Sequence, residues 1–265
     1  MDATQELPEE CLSLIISLTS PRDACTSSLV SHSFQSAADS DAVWDRFLPS
    51  DCLQIISDQA EDVSSLQQEL SSLSKKQIFA RLCRNPLLLN DKTLCFSLDK
   101  ESGKKRYIIG ARGLSITWGS TPDYWVWATL SESRFTEVAQ LEYVWWFEVK
   151  GKFESKMLSP NTSYAAYLLF KFEDDYSTGF DKAVEASINF EGTERQKRRV
   201  FLQCPCGDKS DTPRDRGDGW MEIEMGKIFI VNGDNGSVDF SLQELGGYIK
   251  AGLFIEGIEF RPAQG

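Results

Sequence analysis

Three tryptophans crowd one stretch of this chain: Trp118, Trp125 and Trp127 surround the turn Gly119-Ser120-Thr121-Pro122-Asp123-Tyr124. Indole rings held at a loop can stack on the apolar face of a pyranose while nearby Ser, Asp and Tyr side chains hydrogen-bond its hydroxyls. Core packing is the commoner fate of a buried aromatic, so both readings stand at this point. Other residues offer less. Glu222 and Glu224 lie two apart on one strand face, a spacing that could pair carboxylates for glycoside hydrolysis, yet alternating polar residues are what any half-buried strand shows. Cys204-Pro205-Cys206 supplies at most two ligands, too few for a four-ligand zinc site. The acidic loop with Asp208, Asp211, Asp215 and Asp218 lacks the register of a calcium-binding loop. The basic run Arg195-Gln196-Lys197-Arg198-Arg199 reads as a solvated strand end. No glycine-rich phosphate loop occurs, and no cofactor or metal is expected.

His32 is the one histidine among 265 residues, so a Ser-His-Asp or Cys-His device would have to be built on it alone. Binding is therefore the more natural occupation. With 28 Lys and Arg against 40 Asp and Glu, the net charge is −12. That excludes a sequence-independent nucleic-acid binder and an anionic-membrane binder, which need basic surfaces. No run approaches the ~20 apolar residues of a bilayer span, so no membrane insertion is expected. Residues 1–18 lack the basic region of a secretory signal. Seven cysteines, an odd number in mostly apolar settings, read as reduced thiols. The expected location is the nucleus and cytoplasm, with the sequons at Asn161 and Asn235 unglycosylated.

The elements that position these residues fall into two parts. Up to Ser50 there are eight acidic residues against two basic ones, a net of −6, half the total in under a fifth of the chain. Leu7, Cys11, Leu12, Ile15 and Ile16 recur at helical spacing on one face, with Pro8 at a first helical position. Ser20-Pro21-Arg22-Asp23 reads as a capping box. A short helix then carries Ala24, Leu29 and Val30, another runs from His32 to Ala38 with Phe34 inward, and Asp41 caps a last turn with Val43, Trp44, Phe47 and Leu48. So few residues bury little core alone and finish it on a partner.

The ordered set Leu7-Pro8-Glu9-Glu10, Ile15-Ile16, Ser20-Pro21-Arg22-Asp23, Val30-Ser31, Phe34 and Val43-Trp44 resembles the F-box motif. The resemblance implies docking onto a Skp-type adaptor and, through it, a cullin–RING ubiquitin ligase. It places Leu7, Pro8, Leu12, Ile15, Ile16, Val30 and Trp44 at positions that form or support the adaptor-binding surface.

Residues 57–74, rich in Ser, Gln, Asp and Glu, read as a mobile linker. An amphipathic helix follows, with Ile78, Phe79 and Leu82 on one side and Lys75, Lys76, Arg81 and Arg84 on the other. Asn85-Pro86 ends it, and Leu87, Leu88 and Leu89 dock the connector. The expected domains are 1–50, a linker with a short helix over 51–90, and 91–265.

Past Thr93 the hydrophobic period becomes two. Candidate strands are 94–98, 107–109, 114–118, 125–128, 138–141, 143–149, 164–172, 183–188, 200–203, 220–225, 227–231, 238–242 and 253–260. Turn signals separate them. Tyr143–Val149 is apolar on both faces and predicts a central, covered strand with Trp145 and Trp146 structural. Trp220–Met225 places Met221, Ile223 and Met225 inward and both glutamates outward. The fold class is α+β multidomain: small N-terminal all-α helices, then an all-β antiparallel sandwich.

Gly113-Leu114-Ser115-Ile116-Thr117-Trp118, Pro122-Asp123-Tyr124-Trp125-Val126-Trp127, Val138-Ala139-Gln140-Leu141, Trp146-Phe147-Glu148-Val149-Lys150-Gly151-Lys152, Asp218-Gly219-Trp220-Met221-Glu222-Ile223 and Gly257-Ile258-Glu259-Phe260-Arg261-Pro262 together resemble the plant phloem protein 2, or Nictaba-like, lectins. With the helices, the chain resembles an F-box protein of the phloem protein 2-B type. The resemblance implies a jelly-roll-like sandwich that binds N-acetylglucosamine oligomers or N-glycans, with Trp118 and Trp125 at the sugar-binding tryptophans. Residues Glu191 to Arg216 do not align cleanly with the lectins. The implied function is that of a substrate receptor, recruiting glycoprotein clients for ubiquitination without catalysis of its own. Recognition of a protein surface by the sandwich, and a sandwich glycosidase, are the alternatives.

Overall fold

Serines start the helices. Ser20, Ser31, Ser40 and Ser74 each accept a backbone N–H of the following turn through Oγ, from Asp23, Phe34, Ala42 and Gln77 respectively. Each thereby satisfies a donor that the helix cannot. Ser74 and Gln77 form a full capping box, since the Ser74 N–H donates to Gln77 Oε1 at 2.9 Å. The computed structural model describes residues 7–59, 68–173, 176–191, 196–203, 212–231 and 235–263. Glu6, residues 60–67 of the expected linker, Arg195, Cys204-Pro205-Cys206, Asp208 and Asp211 lie outside them.

The chain divides into two compact units, residues 1–90 with 96–106, and residues 91–95 with 107–265. The first holds α1 (Glu9–Ser17), α2 (Pro21–Ser27), α3 (His32–Asp39), α4 (Asp41–Phe47), α5 (Cys52–Gln59), α6 (Lys75–Arg84) and the short β1 (Leu87–Leu89). Trp44 is its pivot. The ring is buried, donates Nε1–H to the Ala38 carbonyl at 2.7 Å, and packs on Phe47 and Phe79. Leu12, Ile16, Val43, Ile56, Ile78 and Leu82 close the core around it. α5 has no counterpart among the expected helices, although Ile55 and Ile56 provide its buried side.

In the second unit, one antiparallel sheet runs in the order β3 (Lys105–Gly110), β14 (Leu253–Pro262), β8 (Thr162–Phe172), β12 (Met221–Ile230), β11 (Arg214–Asp215). The hairpin β5 (Trp125–Ala128) and β6 (Val138–Leu141) joins it through β14. The opposing antiparallel sheet has the order β10 (Gln196–Val200), β9 (Val184–Phe190), β13 (Ser237–Glu244), β7 (Phe147–Glu154), β4 (Ser115–Ile116). Aromatic rings lock the two together: Phe153 of β7 stacks on Phe260 of β14 at 5.4 Å, and Phe240 of β13 meets the same ring at 5.3 Å. β2 (Leu94–Leu98), β5 and β6 have the predicted bounds.

Two expectations need correction. The run Tyr143–Val149 is not a covered central strand, because β7 begins only at Phe147 and Tyr143, Trp145 and Trp146 are exposed. Trp145 and Trp146 are therefore not core residues. An unbroken apolar run looks like a doubly covered strand, but here its aromatic part turns outward at the end of the sandwich. Nor is Glu222 a solvated residue. It is buried, with Arg261 and Arg216 closing over it.

Thiol labelling reads this packing directly. Cys11 and Cys25 are free and exposed, while Cys52 and Cys95 are buried. Burial, reinforced by the charge of Asp51, pushes the Cys52 thiol up to about 12, and burial with Asp99 does the same for Cys83. An ordinary thiol near 8.5 is partly thiolate at pH 8, whereas these two are not. Iodoacetamide at pH 8 should label Cys11 and Cys25 in the native chain and reach Cys52, Cys83 and Cys95 only on unfolding. Native-state labelling of Cys52 at the rate of Cys11 would contradict the packing.

Candidate functional site

The loop between β4 and β5 is built to push one indole ring into solvent. Trp118 has φ +59° and is 43 % exposed. For a residue with a Cβ this left-handed conformation costs ~1–2 kcal/mol. The loop is held there from both sides. Trp125 donates its Nε1–H to the Thr117 carbonyl at 3.2 Å, and Trp127 donates to the Gly119 carbonyl at 3.0 Å. These carbonyls flank Trp118, and the donors are two apart on β5, so both reach the same side of the strand. The Trp118 carbonyl itself accepts Thr121 N–H at 2.8 Å.

The two tryptophans implied by the resemblance thus occupy different environments: Trp118 is open to solvent and Trp125 is 2 % exposed, packed towards Phe147. Trp127, half-buried, lies under the Arg112 guanidinium at 3.6 Å, and Arg112 is bonded to Glu137. Polar groups belong to the same loop or bond to it. Ser120 and Asp123 are exposed in the same loop. Thr117 Oγ1 donates to Glu148 Oε2 at 2.9 Å, and Glu148 Oε1 pairs with Lys150 at 2.7 Å. The Lys150 hydrogen bond, against some burial and with help from Thr117, holds the Glu148 carboxyl below the usual carboxylate range. Lys150 also lines, with Ser115, Lys152, Asp239 and Ser241 among others, a groove of about 640 Å³.

The helical unit presents a different surface. The residues read as one face of α1 separate into two: Leu12 and Ile16 are buried, whereas Leu7, Cys11 and Ile15 are exposed. Pro8 is exposed, and so is Val30, which follows α2 rather than lying in it. Trp44 is interior. Leu29, expected on the helix that follows Ser20, is exposed beyond the end of α2, and Leu14 and Leu18 add further apolar exposure. The four-residue spacing of Leu14 and Leu18 is the signal for an outward stripe.

Glu222 and Glu224 do not form a catalytic pair. Glu222 accepts Arg261 at 2.6 Å and Arg216 at 2.7 Å. Burial pushes its carboxyl up, but the Arg261 hydrogen bond and the two cationic charges outweigh it and hold the group below the usual range. A glycosidase acid needs the opposite shift. Glu224 is paired with Arg198 at 2.8 Å. Among the described residues, no group of three His, Cys, Asp or Glu side chains is placed to hold a metal ion, and no helix is long and apolar enough to cross a membrane.

Comparison with known proteins follows this division. The Phloem protein 2 family matches residues 104–262, and an F-box-like family matches residues 4–50. A relative from Arabidopsis thaliana, described as putative F-box protein PP2-B12, is 42 % identical over 264 residues, covering 98 % of each chain. The chain belongs to the PP2-B family of plant F-box proteins. A second PP2-B relative from the same plant, putative F-box protein PP2-B2, is 42 % identical over 267 residues, covering 97 % of this chain and 83 % of the relative. Among solved structures, the family 35 carbohydrate binding module from Clostridium thermocellum aligns with a TM-score of 0.33 and 9 % identity, over 59 % of this chain and 98 % of that one. The PP2-B architecture thus joins an F-box region of short helices to a lectin-like sandwich of two antiparallel sheets.

Proposed function

We propose that this protein is the substrate receptor of a cullin–RING ubiquitin ligase. Its helices dock a Skp-type adaptor, and its sandwich binds N-acetylglucosamine oligomers or the N-glycans of a glycoprotein client. Ubiquitin transfer falls to other subunits, and the chain itself is not a catalyst. The free, exposed thiols Cys11 and Cys25 support a reducing setting, the nucleus and cytoplasm.

One observation carries the sugar reading: Trp118 is displayed at a strained φ, with indole donors on both flanking carbonyls. A core tryptophan would need neither the strain nor the exposure. An aromatic face fixed in water, in a loop that also exposes Ser120 and Asp123, suits the apolar face and the hydroxyl rim of a pyranose. In this reading Trp118 touches the sugar and Trp125 positions it.

Isothermal titration of the full chain with chitotriose tests this. Trp118→Ala should weaken binding about tenfold or more, with the fold intact by circular dichroism. Trp125→Phe keeps an apolar ring but loses the N–H, and should weaken binding less. No sugar binding by the wild type at millimolar concentration would overturn the lectin reading and favour a protein-recognising sandwich.

A further inference from the structure

Trp118 is not isolated. Its ring meets Tyr124 at 5.6 Å, Tyr124 meets Tyr143 at 5.5 Å, and Tyr143 meets Trp145 at 5.6 Å. The last two contacts are edge-to-face, both at 87°. Tyr143 is 36 % exposed and Trp145 48 % exposed. Four aromatic rings are therefore linked, contact by contact, from the Trp118 turn to the segment before β7.

The second segment is as firmly fixed as the first. Between the two rings, Val144 points inward and is buried, and its N–H and C=O pair with the backbone of Lys250 at 2.9 and 2.8 Å. This local extension throws Tyr143 and Trp145 to one side. Beneath them the Lys250 ammonium, with no exposed side-chain surface, donates to the Trp145 carbonyl at 2.7 Å and to Gly246 O at 2.9 Å. Its charge is balanced by Glu244 at 2.7 Å. A buried, fully bonded cation orders a turn whose outer side chains contribute nothing to the core. Preorganised aromatic surface of this kind lowers the ordering cost of binding.

We propose that Tyr143 and Trp145 form a second ring-stacking subsite, where an oligosaccharide held at Trp118 gains a contact that a single sugar does not reach. The inference rests on the lectin reading of Trp118. Tyr143 and Trp145 continue the aromatic surface of Trp118 through Tyr124, with neighbouring ring planes turned nearly at right angles at the last two contacts. The exposed members of the chain are Trp and Tyr, whose rings suit the apolar face of a pyranose, which favours a glycan over a protein helix as its occupant.

The experiment is isothermal titration of the full chain with N-acetylglucosamine, chitotriose and chitopentaose. Wild type should bind the pentaose more tightly than the monosaccharide. Trp145→Ala should weaken pentaose binding about five- to tenfold while leaving the monosaccharide unchanged, and Trp145→Phe should restore much of the loss. Trp118→Ala should weaken all three ligands. If Trp145→Ala leaves the pentaose unaffected, or weakens monosaccharide and pentaose alike, the second subsite is wrong while the Trp118 site stands. If wild type binds no oligomer, both fall together.

Discussion

The double variant Ile15→Asp, Val30→Asp should leave the chain folded and abolish capture of a Skp-type adaptor. Ile15 is 53 % exposed on the outer stripe of α1, and Val30 is 66 % exposed just beyond α2. Placing aspartate in water at either position costs the free chain little. In the adaptor complex both side chains would be covered. Losing two buried aliphatic groups removes ~1.5–3 kcal/mol each, and the unpaired carboxylates left behind add a further desolvation penalty. Affinity should fall more than about a hundredfold.

The contrast with the inner stripe makes the result interpretable. Leu12 is 2 % exposed and Ile16 3 % exposed, so Leu12→Ala should cost ~2–5 kcal/mol of the helical unit's stability and lose the adaptor by unfolding. Titration of purified adaptor, with circular dichroism on each variant, separates the cases. Retained nanomolar binding by a folded double variant would remove Ile15 and Val30 from the interface.

The same comparison shows how far the sequence can be read. Hydrophobic period located α1 but merged its two stripes, because Leu12 and Ile16 follow the same spacing as Cys11 and Ile15 and nothing local says which stripe meets the core. Residues two apart share a strand face, so the spacing of Trp125 and Trp127 is enough to put both on one side of β5, yet burial of Trp125 and exposure of Trp118 depend on the fold around the loop. β12 was expected as two strands broken near Gly226; it is one strand with a bulge between Glu224 and Gly226, where the backbone takes φ +157° and an added Cβ would strike Ile188 at 2.5 Å. The turn signal was real, but its outcome was a kink rather than an end. Least legible were the buried charges. Glu222, Glu256 and Glu259 look solvent-facing because most of their arginine partners come from distant parts of the chain: Arg261 for Glu222, Arg134 for Glu256 and Arg216 for Glu222 and Glu259.

Those charges should produce the largest stability effect in the sandwich. Arg216 Nη1 donates to Glu222 Oε2 and to Glu259 Oε2, both at 2.7 Å, and its Nε donates to Asp218 at 3.3 Å. Its side chain is only 12 % exposed. Arg216→Met preserves much of the volume but leaves buried carboxylates short of a partner, a loss of ~3–5 kcal/mol at neutral pH. Lys156→Met is the control: its pair with Glu154 is about two-thirds exposed on both sides and should contribute ~0–1 kcal/mol.

The pH dependence identifies the mechanism. At Glu222 and at Asp218, burial raises the pKa but the arginine bonds and charges prevail, and both carboxyls sit below the usual range. Their contribution is complete above the unfolded carboxylate pKa of about 4 and is lost as pH falls through the depressed folded values. Glu256 runs the other way: burial lifts it despite Arg134, so its ionisation costs stability as pH rises above the ordinary range. Arg216 is one of the charges that lowers it, so Arg216→Met should leave Glu256 higher still and add to the gap at neutral pH. The gap between wild type and Arg216→Met should therefore be widest near pH 7 and narrow below about pH 4, where the orphaned carboxylates are protonated. Urea unfolding of the full chain, followed by tryptophan fluorescence, measures it. A gap under about 1 kcal/mol, or one that does not change with pH, would mean that Arg216 acts through packing and not through charge.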